Sequence, residues 1–157
     1  MTPQPPIRPA RSDDGAVLQQ LQSLLSEPSP GLLSTALAER STASIGSASA
    51  LQTSTLLISP DSTDQPVGYL LAVGGESTHI AELAVDPDHR RENRATALLQ
   101  EICTNATEPV TVHVAADNEP ALSLYRRVGF VEQGRSSELF ERSDGLTLVY
   151  DPSTKVD

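Results

Sequence analysis

The chain has 157 residues, enough for one domain around one hydrophobic core. Twenty-one acidic residues face ten Arg and a single Lys, Lys155, and the net charge of −10 excludes general affinity for nucleic-acid backbones. Cys103 is the only cysteine, which excludes an internal disulfide and a cysteine-rich zinc site, and no apolar run approaches the ~18 residues of a membrane-spanning helix.

Residues 1–6 read as a Pro-rich tail without the pattern of a signal peptide, so a cytoplasmic protein is expected. One domain is expected over 7–151, with a second tail over 152–157. Ile7 to Ala10 can form a short strand. Ser12 is placed to cap a helix with Asp13 and Asp14 in its first turn and Val17, Leu18, Leu21, Leu24 and Leu25 as its apolar stripe, stopped by Pro28. Ser29 and Pro30 open a second helix through Leu33 and Leu37 to about Glu39. Residues 41–50 are small and polar without period, the pattern of a mobile connection. Strands follow at Thr53 to Ser59 and Val67 to Val73, with a turn over Asp61 to Gln65 between them. Gly74, Gly75 and Glu76 make a hairpin turn into a strand over 78–85.

Pro87 ends that strand, because proline cannot donate to a ladder. Ala95, Leu98, Leu99 and Ile102 then recur at the spacing of one buried helix face, so Arg90 to Thr96 straddles a helix start. The first N–H groups of a helix lack internal partners and sit at the positive end of its dipole, where an anion can use them. Arg90, Arg91 and Arg94 add three positive charges there, and the arginine fork suits phosphate. There is no phosphate loop of the nucleotide-hydrolysing type. Val110, Val112 and Val114 alternate with Thr111, His113 and Ala115 as a half-buried strand. Asp117 or Asn118 can cap the next helix, Pro120 fits its first turn, and Ala121, Leu124, Tyr125 and Val128 form its stripe. Gly129 ends it and Phe130 begins a strand to about Arg135; after a polar link, Gly145 to Tyr150 is the last strand. Consecutive hairpins followed by strand–helix–strand units imply a mixed sheet.

Two blocks in this order resemble the GNAT superfamily of acyl-coenzyme A-dependent N-acyltransferases. Val85, Pro87, Arg90, Ala95, Leu98 and Leu99 match its V-x-P-x-x-R-x-x-G-x-G/A-x-x-L-L signature. Asn118, Ala121, Leu124, Tyr125, Gly129 and Phe130 match its N-x-x-A-x-x-L-Y-x-x-x-G-F signature. The second block is most similar to the ribosomal-protein-alanine N-acetyltransferase branch. The chain departs from the pattern at Asn93, where the family has its first loop glycine, and at His113, where that branch has glutamate.

The resemblance implies an α/β (α+β) GNAT fold: a mixed, mostly antiparallel sheet of about seven strands flanked by about four helices. It implies an N-acetyltransferase moving acetyl from acetyl-CoA to a primary amine, on a protein N-terminus or a small molecule, by direct attack and without a metal. A non-catalytic coenzyme A-binding regulatory domain is the alternative. The pyrophosphate would rest on backbone from Arg91 to Thr96, within a site of Arg90, Arg91, Glu92, Asn93, Arg94, Ala95, Thr96 and Asn118. Pantetheine would run along Leu83, Ala84 and Val85. Tyr125 would be the acid for the departing thiolate, with His113, or Glu82 as runner-up, as the base. The partners expected are acetyl-CoA and the amine, without nucleic acid or membrane, for a monomer or homodimer. An acidic excess with lysine nearly absent also resembles a halophilic surface.

Overall fold

Among the described residues seven strands form one sheet, with two helices packed on each face. The computed structural model describes residues 5–25, 28–42, 54–74, 77–90, 92–137 and 144–154. In chain order these form β1 (Arg8–Pro9), α1 (Gly15–Gln22), α2 (Pro30–Thr42), β2 (Ser54–Pro60), β3 (Pro66–Val73) and β4 (Thr78–Val85). Then come α3 (Arg94–Thr104), β5 (Val110–Ala115), α4 (Glu119–Val128), β6 (Val131–Ser136) and β7 (Gly145–Tyr150). The order across the sheet is β1-β2-β3-β4-β5-β7-β6. Every neighbouring pair is antiparallel except β4 with β5, the mixed sheet expected from the sequence.

Side-chain alternation sends each strand's residues to two separate cores. Leu70 and Ala72 of β3, Val110, Val112 and Val114 of β5, and Leu146 and Leu148 of β7 pack under Leu98, Leu99 and Ile102 of α3 and Leu122 and Tyr125 of α4. On the opposite face Leu56, Ile58, Tyr69 and Leu71 pack under Leu18 and Leu21 of α1 and Leu33 and Ala36 of α2. A fully buried Leu contributes about 1.5–3 kcal/mol, so these two clusters carry most of the favourable burial.

The N-terminal helix departs from expectation at both ends. Ser12–Asp14 is a single 3-10 turn, and Ser12 does not cap it. Asp14 is engaged backwards along the chain: its buried carboxylate accepts the Arg11 N–H at 2.7 Å and the Arg8 guanidinium at 2.9 and 3.1 Å. α1 then stops at Gln22, well before Pro28, and leaves Leu24 45 % exposed. α2 continues past Glu39 to Thr42. The rest of the connection expected over 41–50, most of the Gly74–Glu76 turn and most of the polar link before β7 lie outside the described residues.

α4 is stopped by Gly129, whose φ of +125° is accessible to glycine at little cost. A Cβ there would also meet the Tyr150 ring at 3.3 Å. The buried centre of α4 is Leu122 with Tyr125; the predicted stripe residues Ala121, Leu124 and Val128 pack partly buried against the same core, and Ala121 and Leu124 also line a cavity. Among the described residues no helix is long and apolar enough to cross a membrane.

Candidate active site

β4 and β5 pair over only three residues, Thr78↔Val110, His79↔Thr111 and Ile80↔Val112. Immediately beyond, β4 carries a bulge. Leu71 of β3 faces Glu82 while the next residue, Ala72, faces Ile80, so Ala81 is the extra residue. The bulge bends β4 away from β5, and a cavity of about 1010 Å³ opens between them. Ile80 to Val85 form one wall, Val112 to Ala115 the other, and Ala121, Leu124 and Tyr125 of α4 line it as well. The backbone of Leu83, Ala84 and Val85 pairs with β3 on one side and borders this opening on the other.

The start of α3 closes one end. Asn93 takes the left-handed conformation at φ 61° and ψ 24°, a backbone open to glycine and tolerated by asparagine. Its side chain makes no capping hydrogen bond, so it does not consume the first N–H donors of α3. Ala95 and exposed Arg90 line the cavity beside this turn, and the Arg90 Nε donates to the Val85 carbonyl at 3.2 Å. Left-handed turn, uncapped helix start and adjacent guanidinium fit a diphosphate. Thr96 follows in the first turn of α3, half-buried.

Arg94 differs from its expected role. Its guanidinium is buried and donates to Ser59 Oγ at 3.1 Å, the Pro60 carbonyl at 2.9 Å and Glu92 Oε1 at 2.8 Å. Arg94 therefore ties α3 to the end of β2 and is turned away from the cavity. Glu92 is held below the usual carboxylate range, first by that hydrogen bond from Arg94. Arg91 lies outside the described residues.

Asn118 caps α4, its Oδ1 accepting the Ala121 N–H at 3.3 Å, which decides between it and Asp117. About two turns along, Tyr125 is 5 % exposed, lines the cavity, and meets Phe130 edge-on with ring centroids 5.3 Å apart. Burial pushes its hydroxyl above the usual phenol range, so the proton stays on. Tyr125 belongs to the α3/α4 side of the sheet.

His113 alternates with Val112 and Val114, which face α3 and α4, so it projects from the opposite side. It is exposed, lines the cavity, and has its Nδ1 3.1 Å from Thr147 Oγ1. Sequence reasoning missed its neighbour. His79, in the short stretch of β4 that pairs with β5, lies against it with the rings tilted by 54° and their centroids 4.7 Å apart, and has its own Nδ1 2.9 Å from Thr111 Oγ1. Burial, and then the charge of His113, hold the His79 imidazole below its ordinary value. Two histidines 34 residues apart gave no motif; only the parallel register of β4 and β5 brings them together.

Glu82 is 3 % exposed, and its carboxylate is fully engaged. It accepts Gln22 Nε2 at 3.1 and 3.0 Å, Tyr69 Oη at 2.9 Å, and the Ser29 N–H. The geometry thus separates the two base candidates: His113 is accessible from the cavity, and Glu82 is committed to three donors.

A mixed sheet opened between β4 and β5 beside a helix start can be set against known proteins. Residues 18–130 match the model of the acetyltransferase (GNAT) family, and the chain belongs to that family. It is 36 % identical over 81 residues to the peptidyl-lysine N-acetyltransferase YjaB of Escherichia coli K12, a match covering 52 % of each chain. It is 35 % identical over 80 residues to the mycothiol acetyltransferase of Clavibacter michiganensis, covering 48 % of this chain and 26 % of that protein. The chain thus spans about half, or less, of the curated relatives it matches. A Vibrio cholerae–human chimera of spermidine N-acetyltransferase SpeG superposes with a TM-score of 0.73 at 18 % identity, covering 94 % of this chain and 95 % of that one. The Escherichia coli ribosomal-protein-S18-alanine N-acetyltransferase superposes with a TM-score of 0.72 at 17 % identity, covering 96 % of each. Those two likenesses establish the fold.

Proposed function

We propose that this chain is an N-acetyltransferase that moves an acetyl group from acetyl-coenzyme A to a primary amine by direct attack in a ternary complex. The observation that carries the reading is the cavity at the β4 bulge, with His113 on one side of the sheet and Tyr125 on the other. Acetyl-coenzyme A supplies an activated acyl group: the C–N bond to the amine forms as the C–S bond breaks. The remaining work falls to residues of this chain.

The N–H groups at the start of α3, with Arg90, hold the diphosphate. Asn93 supports this, because its left-handed turn is the one a glycine would make; the alternative of a non-catalytic coenzyme A-binding domain loses its main motive there. The free edge of Leu83 and Ala84 orients the pantetheine arm and offers hydrogen bonds to the acyl oxygen. His113 takes the proton that the amine must lose, directly or through water. Tyr125 gives a hydrogen bond, and then its proton, to the sulfur; its buried, protonated hydroxyl suits that task. The reading needs no metal ligand.

The acceptor class rests on likeness alone. Relatives and structural neighbours carry names that specify peptidyl lysine, spermidine and a ribosomal-protein alanine, so the test must span them. Thermal-shift titration with acetyl-coenzyme A and coenzyme A is expected to raise the melting temperature by mass action. Thiol release is then expected with at least one of spermidine, a lysine peptide and a peptide with a free N-terminal alanine. No shift at millimolar cofactor refutes cofactor binding, and a shift without thiol release for any amine refutes the enzyme reading.

A further inference from the structure

Glu82 is a buried carboxylate that the proposed chemistry does not use. It is directed by the bulge: Ala81 and Glu82 both point toward α1 and α2, where regular alternation would have sent one of them to the other face. There it meets donors from both ends of the link between the helices. Gln22, the last residue of α1 and 7 % exposed, gives its amide to both carboxylate oxygens. Ser29, whose carbonyl accepts the first helical N–H groups of α2, gives its own N–H to Oε2. Tyr69 of β3 holds Oε1 from below. The described part of this link carries Leu24 and Leu25, both of which line the cavity on the His113 side.

We infer that Glu82 is a positioning residue, a latch that fastens the α1–α2 link to the β4 bulge and thereby sets the acceptor wall formed by Leu24 and Leu25. The inference rests on the proposed function for the word acceptor, but the latch itself is a statement about the link. One carboxylate clamps both ends of the segment, so loss of any donor loosens the same wall. Glu82→Gln preserves the latch: once the Gln22 amide turns over, its oxygen meets the new NH2, Tyr69 Oη can accept as well as donate, and the remaining oxygen keeps the Ser29 N–H.

The test compares wild type, Glu82→Gln, Glu82→Ala and Gln22→Leu. Hydrogen exchange is read first, since it needs no activity. In Glu82→Ala and Gln22→Leu, the amides of Ser23, Leu24, Leu25 and Ser29 should exchange about tenfold faster or more, the worth of a hydrogen bond to a charged acceptor, while those of α3 and β5 stay protected. Glu82→Gln should resemble wild type. Unchanged exchange at Ser23, Leu24, Leu25 and Ser29 in Gln22→Leu, or faster exchange spread over the whole chain, overturns the latch. Kinetics follow with the best amine of the spermidine, lysine-peptide and alanine-peptide panel. The acceptor KM should rise about tenfold in Glu82→Ala and Gln22→Leu with the coenzyme A affinity unmoved. Glu82→Gln should keep the wild-type pH–rate profile. A profile that loses its acid limb in Glu82→Gln makes Glu82 the base and overturns the proposal. Should no amine be acetylated, the proposed function fails while the exchange data still decide the latch.

Discussion

At the scale of single residues the site rests on three side chains with different environments. Tyr125 is buried and protonated, His113 is exposed, and Glu82 is buried but spent on neighbours. Tyr125→Phe keeps the ring contact with Phe130, so folding and coenzyme A affinity should survive while turnover falls ~10²–10⁴-fold, the usual worth of general acid catalysis. The loss should shrink with an acyl donor whose thiol leaves more readily; normal turnover would make Tyr125 a packing residue. His79 gives a prediction about stability. Its folded value lies below the ordinary imidazole value, so between the two the unfolded chain binds more protons. Stability from this group is therefore complete above about pH 6.5 and is lost as the pH falls through the folded value. Urea unfolding of His79→Gln should lack that decline, whereas Asp61, Asp64, Glu92 and Asp151, held below the carboxylate range, act only at about pH 4 and lower. A wild-type stability flat from about pH 7 to pH 5.5 would contradict the burial of His79.

At the scale of elements, the arginines around the start of α3 divide into two kinds. Arg94→Ala leaves Ser59 and the Pro60 carbonyl without their donor and unties α3 from β2. It should cost about 2–3 kcal/mol in chemical denaturation, the range for hydrogen bonds to a charged group. Arg90→Ala should cost almost no stability, since Arg90 is exposed, yet weaken coenzyme A more than a truncated analogue lacking the diphosphate. Equal losses for both ligands would remove Arg90 from the diphosphate site. The same elements show what the sequence made legible. Valine alternation placed β5, and Pro120 with Gly129 bounded α4, because these signals are local. The left-handed turn at Asn93 was readable from the tolerance of asparagine for that backbone. Signals that depend on a distant partner were not readable. The bulge at Ala81 exists only against β3, Arg94 finds its acceptors 34 and 35 residues away, and Gln22 reaches Glu82 across 60. α1 ends at Gln22, the residue that makes that last contact, and no periodicity within α1 encodes the contact.

At the scale of the whole molecule, a net charge of −10 over 157 residues makes carboxylate repulsion a standing cost of the compact state. Screening shortens the Debye length to ~3 Å in ~1 M salt, so the melting temperature should rise between low and molar KCl. A flat or falling curve would contradict a salt-adapted surface. The sheet is opened by the bulge at Ala81, and the central claim is that the resulting cavity between β4 and β5 is where an acyl group meets an amine. Mass-spectrometric detection of the acetylated amine tests this most directly, with wild type and Tyr125→Phe incubated with acetyl-coenzyme A and the amine panel at the salt concentration of greatest stability. The account predicts an N-acetyl product from at least one amine with wild type, and a yield reduced in proportion to turnover with Tyr125→Phe. Absence of product from every amine, by a wild-type protein that binds the cofactor, would contradict it.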